Sequence, residues 1–257
     1  PDSPLPVPVW DFDSFGSFVA PESGMYTIRV GSFADGSSGN YELSVGTNRT
    51  PLELADPAER QIIFVDFDGA TIDPLALFGR GPSFASLSPL SVFLGNVGLG
   101  PADESAVIDA VIAVVEARFS ALEGVRPNVE YEIRNSRDDA DPFGQPNVSR
   151  VIVGGTVSEF GIDTIGIAEH IDPGNFSTDD TAVVLLDRLL GPAGGSVSAA
   201  TFARAAGFTV IDVAGRGIGN VVAHEAGHYL GNWHTQTDNA VRNIMDRGST
   251  ESLQRSI

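Results

Sequence analysis

Cysteine and lysine are both missing from this 257-residue sequence. Without cysteine the chain can form no disulfide, perform no thiol catalysis and bind no metal through thiolates. Without lysine, all 15 basic residues are arginine; they stand against 34 acidic residues, and the formal net charge is -19. Nucleic acids and anionic membrane surfaces both require a basic patch, so this charge argues against either as a partner. It suits calcium or a salty exterior instead.

Long apolar runs are also missing. No segment approaches the roughly 18 consecutive apolar residues that a membrane span requires, so membrane insertion is not expected. The length suits one sizeable core, or one domain with a small appendage. The sequence begins at Pro1 rather than at methionine, which indicates a processed form or an excised fragment. Oligomeric state is not readable from these features.

Histidine is scarce, yet three of the four histidines fall in the stretch HEAGHYLGNWH, from His224 to His234. His224 and His228 are one helical turn apart and project together, away from the apolar face. Gly231 can adopt the left-handed conformation that ends a helix, which lets His234 approach the same point. The apolar face is predicted from five residues at spacings of three and four: Ile218, Val222, Ala226, Tyr229 and Leu230.

Three neutral histidines suit a zinc ion and leave one tetrahedral position for water, as in catalytic rather than structural sites. Glu225, beside the first histidine, can take a proton from that water and later deliver it to a leaving amine. The alternative is a set of ordinary surface or core histidines. For this composition, the five fixed residues of the pattern arise by chance with a probability on the order of 10⁻⁵.

This extended His-Glu-x-x-His-x-x-Gly-x-x-His motif resembles the signature of the metzincin clan of zinc metallopeptidases, which is followed by a methionine turn. Met245, in NIMDRG, lies eleven residues after His234. In the clan this methionine forms a hydrophobic floor beneath the zinc; plain core packing is the alternative. The stretch HYLG and Thr235 resemble the pappalysin-like branch, although that branch's cysteines are missing here, and no tyrosine follows Met245. The resemblance implies a secreted zinc endopeptidase.

The resemblance also implies the fold of residues 59–257: α+β, with a mixed, mostly parallel twisted sheet, a backing helix and an active-site helix. The sequence predicts a buried strand over 60–69 and the backing helix over 101–122. Further strands are predicted over 128–134, 149–155, 164–171 and 181–187, the last of which could equally be a helix. Residues 73–100 are expected to form an irregular insertion. The final helical region, 197–231, is expected to be interrupted near Gly207 and Gly215.

Residues 1–50 form a separate β segment in this interpretation, joined by a linker over 51–58. Apolar and polar residues alternate over 25–30 and 40–45, which predicts two strands. Residues 10–46 resemble the C-terminal half of the bacterial pre-peptidase C-terminal β-sandwich module. A β-hairpin packed on the main domain is an equal alternative.

Two other groups of acidic residues suggest functions different from zinc-dependent peptide hydrolysis. The strand ending in Asp66 and Asp68 resembles the first motif of haloacid-dehalogenase-type phosphatases, but Ala70 stands where the threonine is usual, and the usual lysine is missing. A buried strand that ends in an acidic turn, with calcium as an option for that turn, explains the same residues. Carboxylate and amide oxygens also suit calcium in a later loop, although simple solvated loops are the alternative there. The candidate calcium ligands of that loop are Asp172, Asn175, Asp179 and Asp180.

The leading hypothesis is therefore an endopeptidase with Zn²⁺ as cofactor, a protein or peptide as substrate, and Glu225 as general base and then acid. The strand around 165–169 is the expected substrate-pairing rim. His170 is expected to be a satisfied or exposed histidine, with a role at the cleft rim as the alternative. From another class, a binding or adhesion module could keep the zinc site without turnover, although Glu225 argues against it.

Overall fold

A computed structural model describes residues 20, 23–30, 39–45, 60–123, 131–172, 177–192, 198–201, 207–235 and 243–246. The strands of these residues are β1 (Gln61–Asp66), β2 (Ala70–Ile72), β3 (Ala85–Leu87), β4 (Tyr131–Asn135), β5 (Val148–Val153), β6 (Gly166–Ala168) and β7 (Thr181–Val184). Their α-helices are α1 (Pro74–Phe78), α2 (Glu104–Glu123), α3 (Val157–Phe160), α4 (Leu186–Leu189) and α5 (Val210–Tyr229).

Five of the strands form one sheet in the order β4-β1-β5-β7-β6, and β2 pairs with β3 in a separate hairpin. β1 is parallel to β4 and β5, β5 is parallel to β7, and β6 alone runs antiparallel, along β7. The two long helices α2 and α5 pack against each other and against the sheet. The predicted α+β fold, with a mixed, mostly parallel sheet and two long helices, is confirmed.

The central strands are buried on both faces. Ile63, Phe64 and Val65 of β1 expose 1% or less of their surface, as does each residue of β7. A parallel strand that is covered on both faces has a continuous run of apolar residues. This run is why β1 could be predicted from the sequence. The segment 181–187, open between strand and helix, contains both: β7 ends at Val184 and α4 begins at Leu186.

Helix α5 is continuous through Gly215, so the interruption expected there is wrong. The helix begins after Gly207, where Thr209 and Asp212 form a capping box: the Asp212 N–H donates to Thr209 Oγ1 at 3.2 Å. Gly215 lies against α2 instead of breaking α5. A Cβ atom on Gly215 would stand 2.4 Å from the Cβ of Ala110. The glycine is therefore a close-contact residue between the two helices.

We expect Gly215→Ala to destabilise the fold by about 1–3 kcal/mol, because the added methyl forces the α2 and α5 backbones apart. Chemical denaturation followed by circular dichroism measures the change in the free energy of unfolding. Gly95→Ala is the matched control, since no atom lies within 4 Å of a Cβ at that exposed position. Equal stability of the two variants would contradict the packing role of Gly215.

Residues 73–100 are ordered and contribute to the core, which corrects the prediction of an irregular insertion. The segment contains α1 and β3, and two 3₁₀ turns follow at Leu90–Val92 and Leu94–Val97. These turns bury four apolar side chains in the main core: Leu90, Phe93, Leu94 and Val97. Their spacing of three and four residues is the helical period, a signal hidden by the surrounding Gly, Pro and Ser residues.

Among the described residues, the two segments predicted as strands in the first 50 residues are not assigned to a strand, and the β segment itself stays a prediction. Residues 25–30 and 39–45 lie outside every strand of the described structure, and their side chains are exposed; Met25 exposes 97% and Tyr41 73% of its surface. Alternation alone does not make a strand, because two short strands without a packed face are marginal in water. The linker lies outside the described residues, and the division at 50 and 58 stays a prediction.

Candidate metal centre

Helix α5 and the turn after it bring together the three predicted histidines. His224 and His228 project from the last two turns of the helix, whose predicted apolar face is buried at all five positions. Gly231 then takes a φ of 77°, in the left-handed region, and its N–H donates to His228 O at 2.9 Å. The helix ends directly before this turn, and Gly231 has the left-handed conformation that the sequence suggested for it.

The three imidazole rings surround one point. Their centroids are 4.9 Å apart between His224 and His228, 5.2 Å between His224 and His234, and 4.9 Å between His228 and His234. The Nε2 atoms of His224 and His234 are 3.2 Å apart. Two nitrogens bound to one tetrahedral zinc at 2.0–2.1 Å would stand about 3.3 Å apart. The cluster could therefore hold a metal ion such as zinc.

Backbone carbonyls orient two of the rings. Ile244 O lies 2.7 Å from Nδ1 of His224, and Asn232 O lies 2.7 Å from Nδ1 of His228. A carbonyl can only accept, so both Nδ1 atoms carry the proton, and Nε2 is left with a free lone pair. This is the usual way in which a protein fixes the tautomer and the direction of a metal-binding imidazole.

Burial also keeps these imidazoles neutral. It lowers the pKa of His228 to about 4 and lowers the pKa of His224 below its usual range. His228 is buried, His224 is half-buried and His234 is exposed. Metal binding requires unprotonated imidazole, so at neutral pH no proton has to leave His224 or His228 before a cation binds.

Met245 packs against the same end of α5. It is 5% exposed, and its Sδ would lie 2.8 Å from a Cβ placed on Gly227. Its N–H donates to Asn243 Oδ1 at 2.9 Å, which shapes a tight turn, and its carbonyl accepts from the Thr235 N–H at 2.8 Å. The turn thus holds the chain directly after His234. A role for Met245 beneath a bound metal stays a prediction.

Glu225 points from α5 toward the edge strand β6. Its side chain is buried, and a Cβ on Gly166 would stand only 2.3 Å from its Oε1 atom. Burial raises the pKa of Glu225 to about 8, while a hydrogen bond from the backbone of Ala168 lowers it. The three-histidine cluster does not include this carboxylate. Gly166, which sequence reasoning did not single out, makes the room that Glu225 occupies.

The rival aspartates lie at the end of β1. Asp66 is buried, and its Oδ1 accepts the Asp68 N–H at 3.0 Å, whereas Asp68 is exposed. Burial raises the pKa of Asp66 to about 6, and the charge of Arg150 lowers it. The Asp66 side chain thus stabilises the turn between β1 and β2, as expected of a buried strand that ends in an acidic turn.

The candidate calcium ligands are divided between different environments. Asp172 and Asp180 are buried and Asp179 is exposed, while Asn175 lies outside the described residues. The Oδ2 of Asp172 accepts the Ser177 N–H at 2.6 Å. Calcium binding by these four residues stays a prediction.

A second group of metal-ligating side chains was missed by sequence reasoning. Glu169, His170 and Asp180 offer ligand atoms that all lie within 4.8 Å of one another. The sequence separates Asp180 from the other two by a loop, so their proximity depends on the pairing of β6 with β7. If β6 and β7 had been predicted to pair in antiparallel register, the proximity of these three residues could have been predicted as well.

Comparisons with family models, with curated proteins and with solved structures found no match to the chain. Among the described residues, no helix has the length and apolar character needed to cross a bilayer.

Proposed function

We propose that this chain is a secreted zinc-dependent endopeptidase of the metzincin type. The observation that carries the proposal is the convergence of His224, His228 and His234 on one point. Glu225, next to His224 in the helix, is buried. Backbone carbonyls fix two of the imidazoles through Nδ1 and leave Nε2 for the common centre. This arrangement is typical of metal-binding histidines and is not expected of histidines on an ordinary surface helix.

When bound, zinc supplies a Lewis acid that polarises a peptide carbonyl and activates water. His224, His228 and His234 would hold it and leave one position open. In its ionised form, Glu225 would accept a proton from the attacking water and deliver it to the leaving amine. Its packing against Gly166 restricts the carboxylate to few positions, which favours transfer in a fixed geometry.

The edge strand β6 is suited to bind an extended substrate. Among the described strands, β6 pairs with β7 only, so its other edge faces away from the sheet. An extended peptide can add to such an edge through main-chain hydrogen bonds. Because β6 also contacts α5, a peptide bound there would lie close to Glu225. This arrangement supports a protein or peptide substrate.

We expect the purified protein to cleave a denatured protein substrate, and we expect 1,10-phenanthroline to abolish cleavage by removing zinc. The non-chelating 1,7 isomer is the control and should leave cleavage unchanged. Gel analysis of the substrate, with metal analysis of the protein, tests the prediction. An inert protein that retains zinc would favour the binding or adhesion module. Magnesium-dependent hydrolysis of phosphate esters that Asp66→Asn abolishes would favour the phosphatase.

A further inference from the structure

The end of the β6–β7 ladder brings two distant segments together. The register pairs Gly166 with Val184 and Ala168 with Ala182, and continuing it places His170 opposite Asp180. The hydrogen bonds follow this continuation: the Glu169 N–H donates to Thr181 O at 3.0 Å, and the Thr181 N–H donates to Glu169 Oε2 at 3.0 Å. Directly opposed side chains on one face of such a pair are close neighbours.

The side chains at this position form one polar cluster. Nδ1 of His170 lies 3.2 Å from Oδ1 of Asp180, and the ligand atoms of Glu169, His170 and Asp180 all lie within 4.8 Å of one another. Asp180 is 1% exposed, whereas Glu169 and His170 are half-buried. The cluster is therefore partly shielded from water and shares no residue with the three-histidine centre.

The buried carboxylate has one oxygen without a partner. The Oδ2 atom of Asp180 is inaccessible to solvent and receives no hydrogen bond within the part of the chain that the structure describes. A buried acceptor without a partner is costly, and a buried negative charge more so. Of the neighbouring groups, Glu169 and Asp179 repel the charge of Asp180, and His170 attracts it when the imidazole is protonated. One protonated imidazole would offset only part of the negative charge of the two carboxylates in the cluster.

We propose that Glu169, His170 and Asp180 bind a second divalent transition-metal ion, of the zinc class. Two carboxylates and a neutral imidazole carry a total charge of -2, which a divalent cation neutralises. The imidazole nitrogen decides between metals, because calcium prefers oxygen ligands, whereas zinc accepts nitrogen together with carboxylate oxygen. The ion would bind where the ligand atoms of the three residues converge, and the charge of the buried Asp180 carboxylate would then be offset.

The consequence is structural. The two ends of the loop between β6 and β7 meet at this cluster, so an ion bound there would fasten the end of the ladder. It would thereby hold β6, the strand whose Gly166 packs against Glu225. The inference does not depend on the proposed peptidase function, since the cluster would bind metal in an inactive protein as well.

The test counts zinc per chain by inductively coupled plasma mass spectrometry, after loading with Zn²⁺ and dialysis against metal-free buffer. We expect two equivalents in the unaltered protein and one in Asp180→Asn. We also expect one in the double variant His224→Ala/His234→Ala, and none when all three changes are combined. Glu116→Gln is the control: this exposed carboxylate of α2 is outside both clusters, and its removal should leave two equivalents.

The outcomes separate the two proposals. A single equivalent that the double histidine variant removes and Asp180→Asn leaves would overturn the second site but not the peptidase centre. A single equivalent with the opposite dependence would support the second site and contradict the peptidase centre. Binding of Ca²⁺ but not Zn²⁺ at an Asp180-dependent site would overturn the assignment to a transition metal.

Two further variants guard against a folding defect in Asp180→Asn. Glu169→Gln and His170→Gln change half-buried side chains, and each should remove the same equivalent while the far-ultraviolet circular dichroism stays that of the unaltered protein. Retention of both equivalents in these two folded variants would contradict the proposal.

Discussion

Replacing Glu225 with glutamine is expected to lower peptide cleavage by at least about 10²-fold, the lower end of what general acid–base catalysis contributes. Glutamine keeps the size of the side chain and therefore its packing against Gly166. It cannot accept a proton from water at neutral pH. The three histidines are untouched, so zinc content should stay at the level of the unaltered protein. Cleavage of a quenched fluorescent peptide library and zinc analysis measure the two quantities.

Glu116→Gln is the matched control for this prediction. Glu116 lies on the exposed face of α2, and the same chemical change there should leave both cleavage and zinc content unaltered. Undiminished cleavage by the Glu225→Gln protein would contradict the assigned role. Loss of zinc from that variant would instead make Glu225 a ligand, against the geometry of the three-histidine cluster.

Replacing His234 with alanine is expected to abolish cleavage and to weaken zinc binding at this centre by more than about 100-fold. Loss of a residue that merely supports a ligand already costs about 10–100-fold in metal affinity. Two imidazoles from the helix would remain, without the third nitrogen that closes the site. His234 is exposed, so its removal leaves no cavity in the core. Competition with a fluorescent zinc chelator measures the affinity.

Trp233→Phe serves as the control, because it alters the neighbouring exposed side chain and leaves all three histidines in place. Its zinc affinity should equal that of the unaltered protein. If His234→Ala bound zinc as tightly as this control, the third ligand would have to be another group. The centre would then not be the three-histidine site that the motif predicts.

Local sequence determined the elements whose signal lies within one short segment. The apolar run of β1 and the acidic start of α2 were readable because burial on both faces and helix initiation each leave a local pattern. The histidine centre was readable for the same reason. Two ligands are one helical turn apart, and Gly231 marks the bend that brings the third, so eleven residues encode the whole arrangement.

Tertiary structure decided what depends on contacts between distant segments. Gly215 looked like a helix interruption, but Ala110 of α2 lies where its side chain would be, so close helix packing replaces a break. From the sequence, Leu90 and Phe93 were expected to belong to an irregular segment. In the structure both side chains are buried in the main core. The alternating residues 25–30 show the reverse, since their pattern is that of a strand but their side chains are exposed and they carry no strand assignment.

The second polar cluster is the clearest case of this division. Nothing in the local sequence around His170 or Asp180 identifies a partner, because the ladder register that brings them together belongs to the pairing of two strands. Glu225 is intermediate. The position of Glu225 beside His224 identifies it in the sequence. Its burial depends on the approach of β6 to α5, where Gly166 makes room for the side chain. Sequence therefore determined which side chains could bind metal along one helix, and the packing of distant strands decided what surrounds them.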